Sequence, residues 1–278
     1  MSSPVRRFTP IALLSFLLVG CGEADPDRAA PPAGTLAPTP DHAPPVNSIA
    51  ALLDRGEAVF GIFSGPKSRE GGAAAWGGVR ADFQLYSMES GPFDVATMGE
   101  YMAGMADAGG EGATATFPLT VRTPPIHTRP DQITGMVEEA RAAGISGFVF
   151  PHVTTAAEAA RSVELIGRPW PLGGESVNIL IIEDREGIAN AREIMRTPGL
   201  SVVFAGPGDL RRAYEGDMEA VEAAIQTVLE ACLEFDVPCG VTAGVADIAR
   251  RLDEGFEVII VTEPEAVAVG MEYVGRIE

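Results

Sequence analysis

The sequence predicts an α/β protein, a closed (β/α)8 barrel forming a single domain. Short, β-rich apolar runs alternate with helical stretches from residue 48 onward. Eight such repeats over roughly 230 residues suit a closed barrel of parallel strands. An open, doubly wound sheet is the next architecture to consider. It is disfavoured because "FSGPKSREGG", after the first run, lacks the glycine spacing of a dinucleotide site.

The elements follow in order. "SIAALLDRG" reads as a short helix that caps the lower end of the barrel. The strand runs are AVFGIF (58–63), DFQLY (82–86), FPLTV (117–121), GFVFP (147–151), VNILII (177–182), SVVFA (201–205), PCGVT (238–242) and EVIIVT (257–262). Helical stretches between them include DVATMGEYMAGMADA, RPDQITGMVEEARAAG, TAAEAARSVELI, DREGIANAREIM, DMEAVEAAIQTVLEACLEF and VADIARRLDEG. Cys232 and Cys239 fall near the end of one helix and in the next strand. Six residues across a helix-to-strand turn make awkward disulfide geometry, so they read as two small buried thiols.

Residues 1–20 carry Arg6 and Arg7, then the apolar run "TPIALLSFLLVG", which is too short to span a bilayer but fits the core of an export signal. "LVGC" resembles a bacterial lipobox, with Cys21 as the lipidated residue. The expectation is an exported lipoprotein, on the periplasmic or cell-surface face of a membrane and touching it only through the lipid. Residues 21–47, rich in Pro and Ala, read as a disordered tether that contains His42. Residues 48–278 are the barrel. The net charge of the 278-residue chain is −19, and loss of Arg6 and Arg7 with the leader makes it −21. Such a surface repels phosphate backbones, which argues against a nucleic-acid partner.

In a barrel of this kind, chemistry gathers where strands end. Those ends carry Glu89 and Ser90, Arg122, Pro151 and His152, Glu183, Asp209, and Thr242 to Gly244. Glu183 closes the apolar run "NILIIED", where a carboxylate is costly to bury without a partner such as a cation. Asp209 follows a Gly-Pro-Gly turn one strand later. Two carboxylates on adjacent strand tips can converge on one hard divalent ion, and the plainer alternative for each is capping of the helix that follows. Arg122, in "LTVRTPP", suits a substrate carboxylate or a developing enolate oxygen, because its planar fork pairs with two oxygens and keeps its charge. Its plainer role is an ion pair with Glu89 or Glu183. The amides from Gly206 to Asp209 form a second anion cradle.

"GFVFPHVTTAAEAARSV", "IIEDREGIANAREIM", "PGLSVVFAGPGDL" and "VRTPP" together resemble the metal-dependent pyruvate aldolases, the family that includes hydroxyheptenedioate aldolase and the citrate lyase beta subunit. The resemblance covers most of residues 58–275. It implies that Glu183 and Asp209 bind Mg²⁺ or a similar ion such as Mn²⁺ or Co²⁺. It implies that Arg122 contacts the keto-acid oxygen, and that amides near Gly208 and Asp209 hold the carboxylate of a 2-keto acid or dicarboxylate. It also implies a homo-oligomer, a hexamer or trimer of dimers, in which "PEAVAVGMEYVGRI" is an exchanged helix.

The departures are local. Where the family has a histidine after strand two, "MESGPFD" has Ser90; the position of the histidine's aspartate partner holds Ala142. A hydroxyl does not replace an imidazole as a base near neutral pH, and such a base is worth roughly 10²–10⁴-fold. His152 and His127 are the candidate replacements, with a helix-entry hydrogen bond and simple solvation as their plainer roles, and Glu89 is a further candidate base. The loop before strand five, "GRPWPLGGESVN", is short where many relatives carry a longer one that shapes the substrate entrance. Two functions remain open. One is a carbon–carbon lyase working through a metal-stabilised enolate; the other is a lipoprotein that binds metal and keto acid without turnover.

Overall fold

The computed structural model describes residues 47–277. The leader, Cys21, His42 and all of the tether except Asn47 lie outside the described residues. The eight strands are β1 Val59–Phe63, β2 Phe83–Ser87, β3 Leu119–Arg122, β4 Gly147–Phe150, β5 Val177–Ile182, β6 Val202–Ala205, β7 Cys239–Ala243 and β8 Val258–Val261. Each pairs in parallel with the next, and β8 pairs with β1, so the barrel is closed. Among the described residues no helix is long and apolar enough to cross a membrane.

The continuous apolar character of the strands follows from burial on both faces. Along β2, Phe83 and Leu85 point into the barrel while Tyr86 packs outward under the helices; along β5, Ile179 and Ile181 point in while Leu180 and Ile182 point out. The lower end is closed by the helix Ser48–Asp54, whose Ile49, Leu52 and Leu53 join the interior cluster. Asn47 is the cap of that helix, its Oδ1 accepting the Ile49 N–H at 3.0 Å, so the tether ends one residue earlier than the composition suggests. At the same end Asp82 accepts both the Phe60 N–H and the guanidinium of Arg276, at 2.6 to 2.8 Å, which ties the chain terminus to the barrel floor. The helix Glu265–Tyr273, which the family resemblance casts as exchanged, packs on this chain's own barrel with Gly270 close against Phe60 and Ile248.

Three expectations are corrected. Cys232 and Cys239 form a disulfide, with Cα atoms 5.7 Å apart. The helix Met218–Phe235 ends at Asp236 in a left-handed conformation (φ 56°), which reverses the chain and brings the last turn over β7. The loop before β5 lies at the barrel floor: the Trp170 indole donates to Asp54 of the plug helix at 2.7 Å. It does not shape the mouth of this chain. Finally, the sequence reading gives no helix over "REGGAAAWG", yet Arg69–Gly77 is helical. Its glycines weaken the helix signal but serve packing against the helix Val95–Gly109. A Cβ on Gly72 would overlap the Tyr101 carbonyl, and one on Gly104 would overlap the Arg69 carbonyl.

This backbone-on-backbone contact makes Gly104→Ala a test of the helix pair. The substitution is expected to lower stability by about 1–3 kcal/mol, the usual cost of overpacking, whereas Gly99→Ala, with open space around it, is neutral or stabilising. Urea denaturation of both variants checks the difference; equal stabilities would refute it.

Candidate functional site

The strand tips set the geometry of the mouth. β2 and β3 pair with Ser87 level with Arg122, so the Ser87 hydroxyl accepts the Arg122 Nε–H at 2.9 Å. Arg122 Nη2 lies 2.8 Å from Glu89 Oε2, two residues further on. The ion pair named as the plainer role of Arg122 is therefore formed, and it fixes the guanidinium plane from two sides. Glu89 is mostly buried, and its carboxyl is held below the usual range, first by His152 and then by the charge of Arg122. A carboxyl held ionised in this way is a weak base. Lys67, the only lysine of the chain, follows β1 and donates to the Ser87 carbonyl at 2.5 Å.

His152 stands at the centre. It follows Pro151 at the end of β4 with φ 54°, a left-handed backbone unusual outside glycine. That turn aims its N–H at Glu183 Oε1 (3.2 Å). Its ring Nδ1 lies 2.9 Å from Asp184 Oδ2. Its Nε2 lies 3.5 Å from Glu89 Oε1 and 3.7 Å from Glu183 Oε1. Surrounded by carboxylates, above all by the hydrogen bond to Glu89, the imidazole is pushed up to about 9.

Glu183 is 3% exposed. Burial first, with added repulsion from Asp209 and Glu89 and opposition from His152, pushes its carboxyl up to about 7. It is not a helix cap; Asp184 occupies the N-cap position of the helix Arg185–Ala189. Its Oε2 rests against Gly206, where any Cβ would overlap it, and among the described residues that oxygen accepts no hydrogen bond. Glu89, His152 and Glu183 offer three ligand atoms within 4.8 Å of one another. An almost fully buried carboxylate with an unpartnered oxygen, next to a second carboxylate and an imidazole, fits a divalent cation.

Asp209 is placed differently. It lies in the first turn of the helix Pro207–Ala213 and pairs with Arg212. Its charge acts on Glu183, and its carboxylate is not among the three ligand atoms of the Glu89–His152–Glu183 group. As first-turn residues, Gly208 and Asp209 have N–H groups without intrahelical acceptors. Ser90 is exposed and makes no side-chain hydrogen bond among the described residues. Ala142 ends the helix Ile133–Ala142, which leads up into β4 from the floor, so within one chain it is at the opposite end from Ser90. His127, in the loop after β3, is not part of the Glu89–His152–Glu183 group; its Nδ1 lies 2.9 Å from Glu158 Oε1. Sequence reasoning missed Ser87, Asp184 and Lys67. Each acts by supporting a neighbour, and no residue type alone signals that.

A model of the HpcH/HpaI aldolase/citrate lyase family matches residues 111–261, more than half of the chain. The chain belongs to this family. The hydroxypyruvate/pyruvate aldolase of Paraburkholderia phytofirmans is 24% identical over 245 residues, covering 77% of this chain and 90% of that protein. Among solved structures, a family member from Burkholderia cenocepacia J2315 matches with a TM-score of 0.66 at 21% identity, over 83% of this chain and 98% of that one. The citrate lyase beta subunit from M. tuberculosis, complexed with oxaloacetate and magnesium, matches with a TM-score of 0.57 at 18% identity, over 79% and 98%. These two show the shared barrel. The family and its curated relatives are aldolases and lyases, so carbon–carbon lyase chemistry is the class of activity to which this chain belongs.

The site predicts a pH dependence for the ion-free protein. The folded pKa of His152, about 9, lies above its ordinary 6.5; its stabilising contribution is complete below 6.5 and lost as pH rises through 9. The folded pKa of Glu183, about 7, lies above 4.5, so its contribution is complete below 4.5 and lost through 7. The lowered pKa of Glu89 acts in the opposite sense, below its ordinary 4.5. In chelator, the melting temperature should therefore fall between about pH 5 and 9. Glu183→Gln should flatten the lower half of this window and His152→Ala the upper half. Parallel curves for all three proteins would contradict the assignment.

Proposed function

We propose that the protein cleaves or forms the carbon–carbon bond next to a 2-keto acid through a metal-stabilised enolate. The observation that carries this reading is the juxtaposition of an aligned guanidinium, Arg122, with the buried, cation-ready carboxylate of Glu183. Glu183 would hold the ion, with Glu89 on one side and Asp209 available on the other. Mg²⁺ is the ion that the family resemblance implies, and the M. tuberculosis neighbour was solved with magnesium and oxaloacetate. A bound divalent ion supplies Lewis acidity to the ketone.

The remaining work falls to side chains and amides of this chain. Arg122 binds the keto-acid oxygen, and the charge that develops there is met by donors already fixed by Ser87 and Glu89. Gly208 and Asp209 N–H groups receive the substrate carboxylate. Glu89 balances the Arg122 charge and keeps it pointed across the mouth. Ser90 has no group that ionises near neutrality and is assigned no proton. The exposed, unpartnered Ser90 is also what favours the second reading, a binder of metal and keto acid without turnover.

Exchange of pyruvate methyl protons in D₂O with Mg²⁺, Mn²⁺ or Co²⁺, followed by NMR, decides between them. Exchange is expected, with Arg122→Ala slower by roughly 10²-fold or more, as for loss of a principal oxyanion donor. No exchange with any of the three ions, beside an active family member, removes the lyase reading. Oxalate binding that persists without exchange leaves the second.

We also propose that the protein is exported and lipidated at Cys21, on the strength of Arg6, Arg7, the apolar run and "LVGC". In a bacterial host the wild type should partition into the detergent phase of Triton X-114, and Cys21→Ser into the aqueous phase. Aqueous partition of both would reject the anchor.

A further inference from the structure

We propose that His152 Nε2 is itself a ligand of the ion, so that the site holds one nitrogen and two carboxylates and prefers an imidazole-accepting metal of the Co²⁺ or Zn²⁺ kind over Mg²⁺. This rests on the proposed function, because it specifies the ion that Glu183 would hold. Three features of the mouth support it.

The first is direction. Asp184 Oδ2 is 2.9 Å from Nδ1 and so acts as acceptor for an Nδ1–H. That leaves the Nε2 edge to face the mouth. A carboxylate behind one ring nitrogen, with the other nitrogen free, is how metal-bound histidines are commonly oriented and made more basic. The left-handed backbone at His152 (φ 54°) keeps the ring there while its N–H is used on Glu183.

The second is spacing. Nε2 is 3.5 Å from Glu89 Oε1 and 3.7 Å from Glu183 Oε1. Ligands at about 2.0–2.1 Å from a shared ion lie about 2.8–3.0 Å apart in an octahedral arrangement and about 3.3–3.4 Å apart in a tetrahedral one. The two nitrogen–oxygen edges thus need to tighten by a few tenths of an ångström for a tetrahedral ion and by under about 1 Å for an octahedral one. The carboxylate–carboxylate edge, within 4.8 Å, narrows in the direction a cation between like charges would draw it.

The third is chemistry. An all-oxygen set selects Mg²⁺ or Ca²⁺, whereas imidazole suits Zn²⁺, Fe²⁺, Cu²⁺ or Ni²⁺, and affinities for N/O sites rise from Mn²⁺ towards Cu²⁺. The sequence expectation pairs Glu183 with Asp209, an oxygen-only set; in the structure the imidazole of His152 lies beside Glu183 and Glu89, while Asp209 pairs with Arg212.

The test uses the full-length protein, purified without a histidine tag and stripped of metal, loaded with one equivalent of Co²⁺. X-ray absorption at the cobalt edge should show the outer-shell scattering of a coordinated imidazole, and His152→Ala should lose it. Calorimetry should show Co²⁺ affinity at least tenfold weaker in His152→Ala, with Mg²⁺ affinity changed less than about threefold. Asp184→Asn should keep the imidazole scattering with weaker Co²⁺ binding, by about tenfold. If His152→Ala does not fold, the wild-type spectrum and Asp184→Asn still decide. Co²⁺ bound without imidazole scattering, at an affinity indifferent to His152, overturns the inference and leaves a carboxylate-held ion intact. No binding of Co²⁺ or Mg²⁺ by the wild type overturns both the inference and the proposed function.

Discussion

Burial of one carboxylate is the constraint around which the mouth of this barrel is organised. Glu183 leaves the end of β5 with almost no exposure to water, and removing an ionised carboxylate from solvent is costly unless hydrogen bonds or cations replace it. Three local features answer that cost. Gly206 has no side chain, so Glu183 Oε2 has space. His152 accepts a strained backbone and delivers its N–H to Oε1. The imidazole brings partial or full positive charge. Glu183 Oε2 accepts no hydrogen bond among the described residues, and an open carboxylate oxygen beside a second carboxylate and an imidazole suits a cation.

The rest of the fold keeps stability away from this expense. The floor carries the plug helix, the Asp82–Arg276 pair and the Trp170–Asp54 hydrogen bond. The outer wall carries the close contact of Arg69–Gly77 with Val95–Gly109 and the disulfide under β7. Neither reaches the strand tips. This is the division of labour expected of such barrels, in which the lower face is structural and the upper face hosts chemistry. It lets the loops after β2, β4, β5 and β6 hold unfavourable charges without unfolding the domain.

Much of this was legible in the sequence, for a physical reason. Strands buried on both faces must be apolar throughout, so all eight appear as runs whose limits differ from the observed ones by only one or two residues. Glu183 was legible because a lone acid ends such a run. The helix Arg69–Gly77 was not, because its glycines satisfy a long-range contact and lower the local helix signal. The pairing of Cys232 with Cys239 depended on the left-handed Asp236, and the position of His152 on a left-handed residue after Pro151. Backbone reversals of that kind in non-glycine residues have no reliable local code. Asp209 was legible as an acid beyond the tip of β6, but its pairing with Arg212, one helical turn away, was not.

The relation between Ser90 and His152 is then not a simple relocation of a base. An imidazole moved from the loop after β2 to the loop after β4 enters a cage of three carboxylates, Glu89, Glu183 and Asp184. Without an ion it is held protonated to about pH 9, and a protonated ring accepts no proton at neutral pH. With an ion on Nε2, and Nδ1 engaged by Asp184, it has no free lone pair. In both states His152 is disqualified as a general base by the same contacts that hold it in the site. A histidine in this position changes what the site binds more directly than how it moves protons, and any turnover must draw its proton acceptor from elsewhere in the mouth.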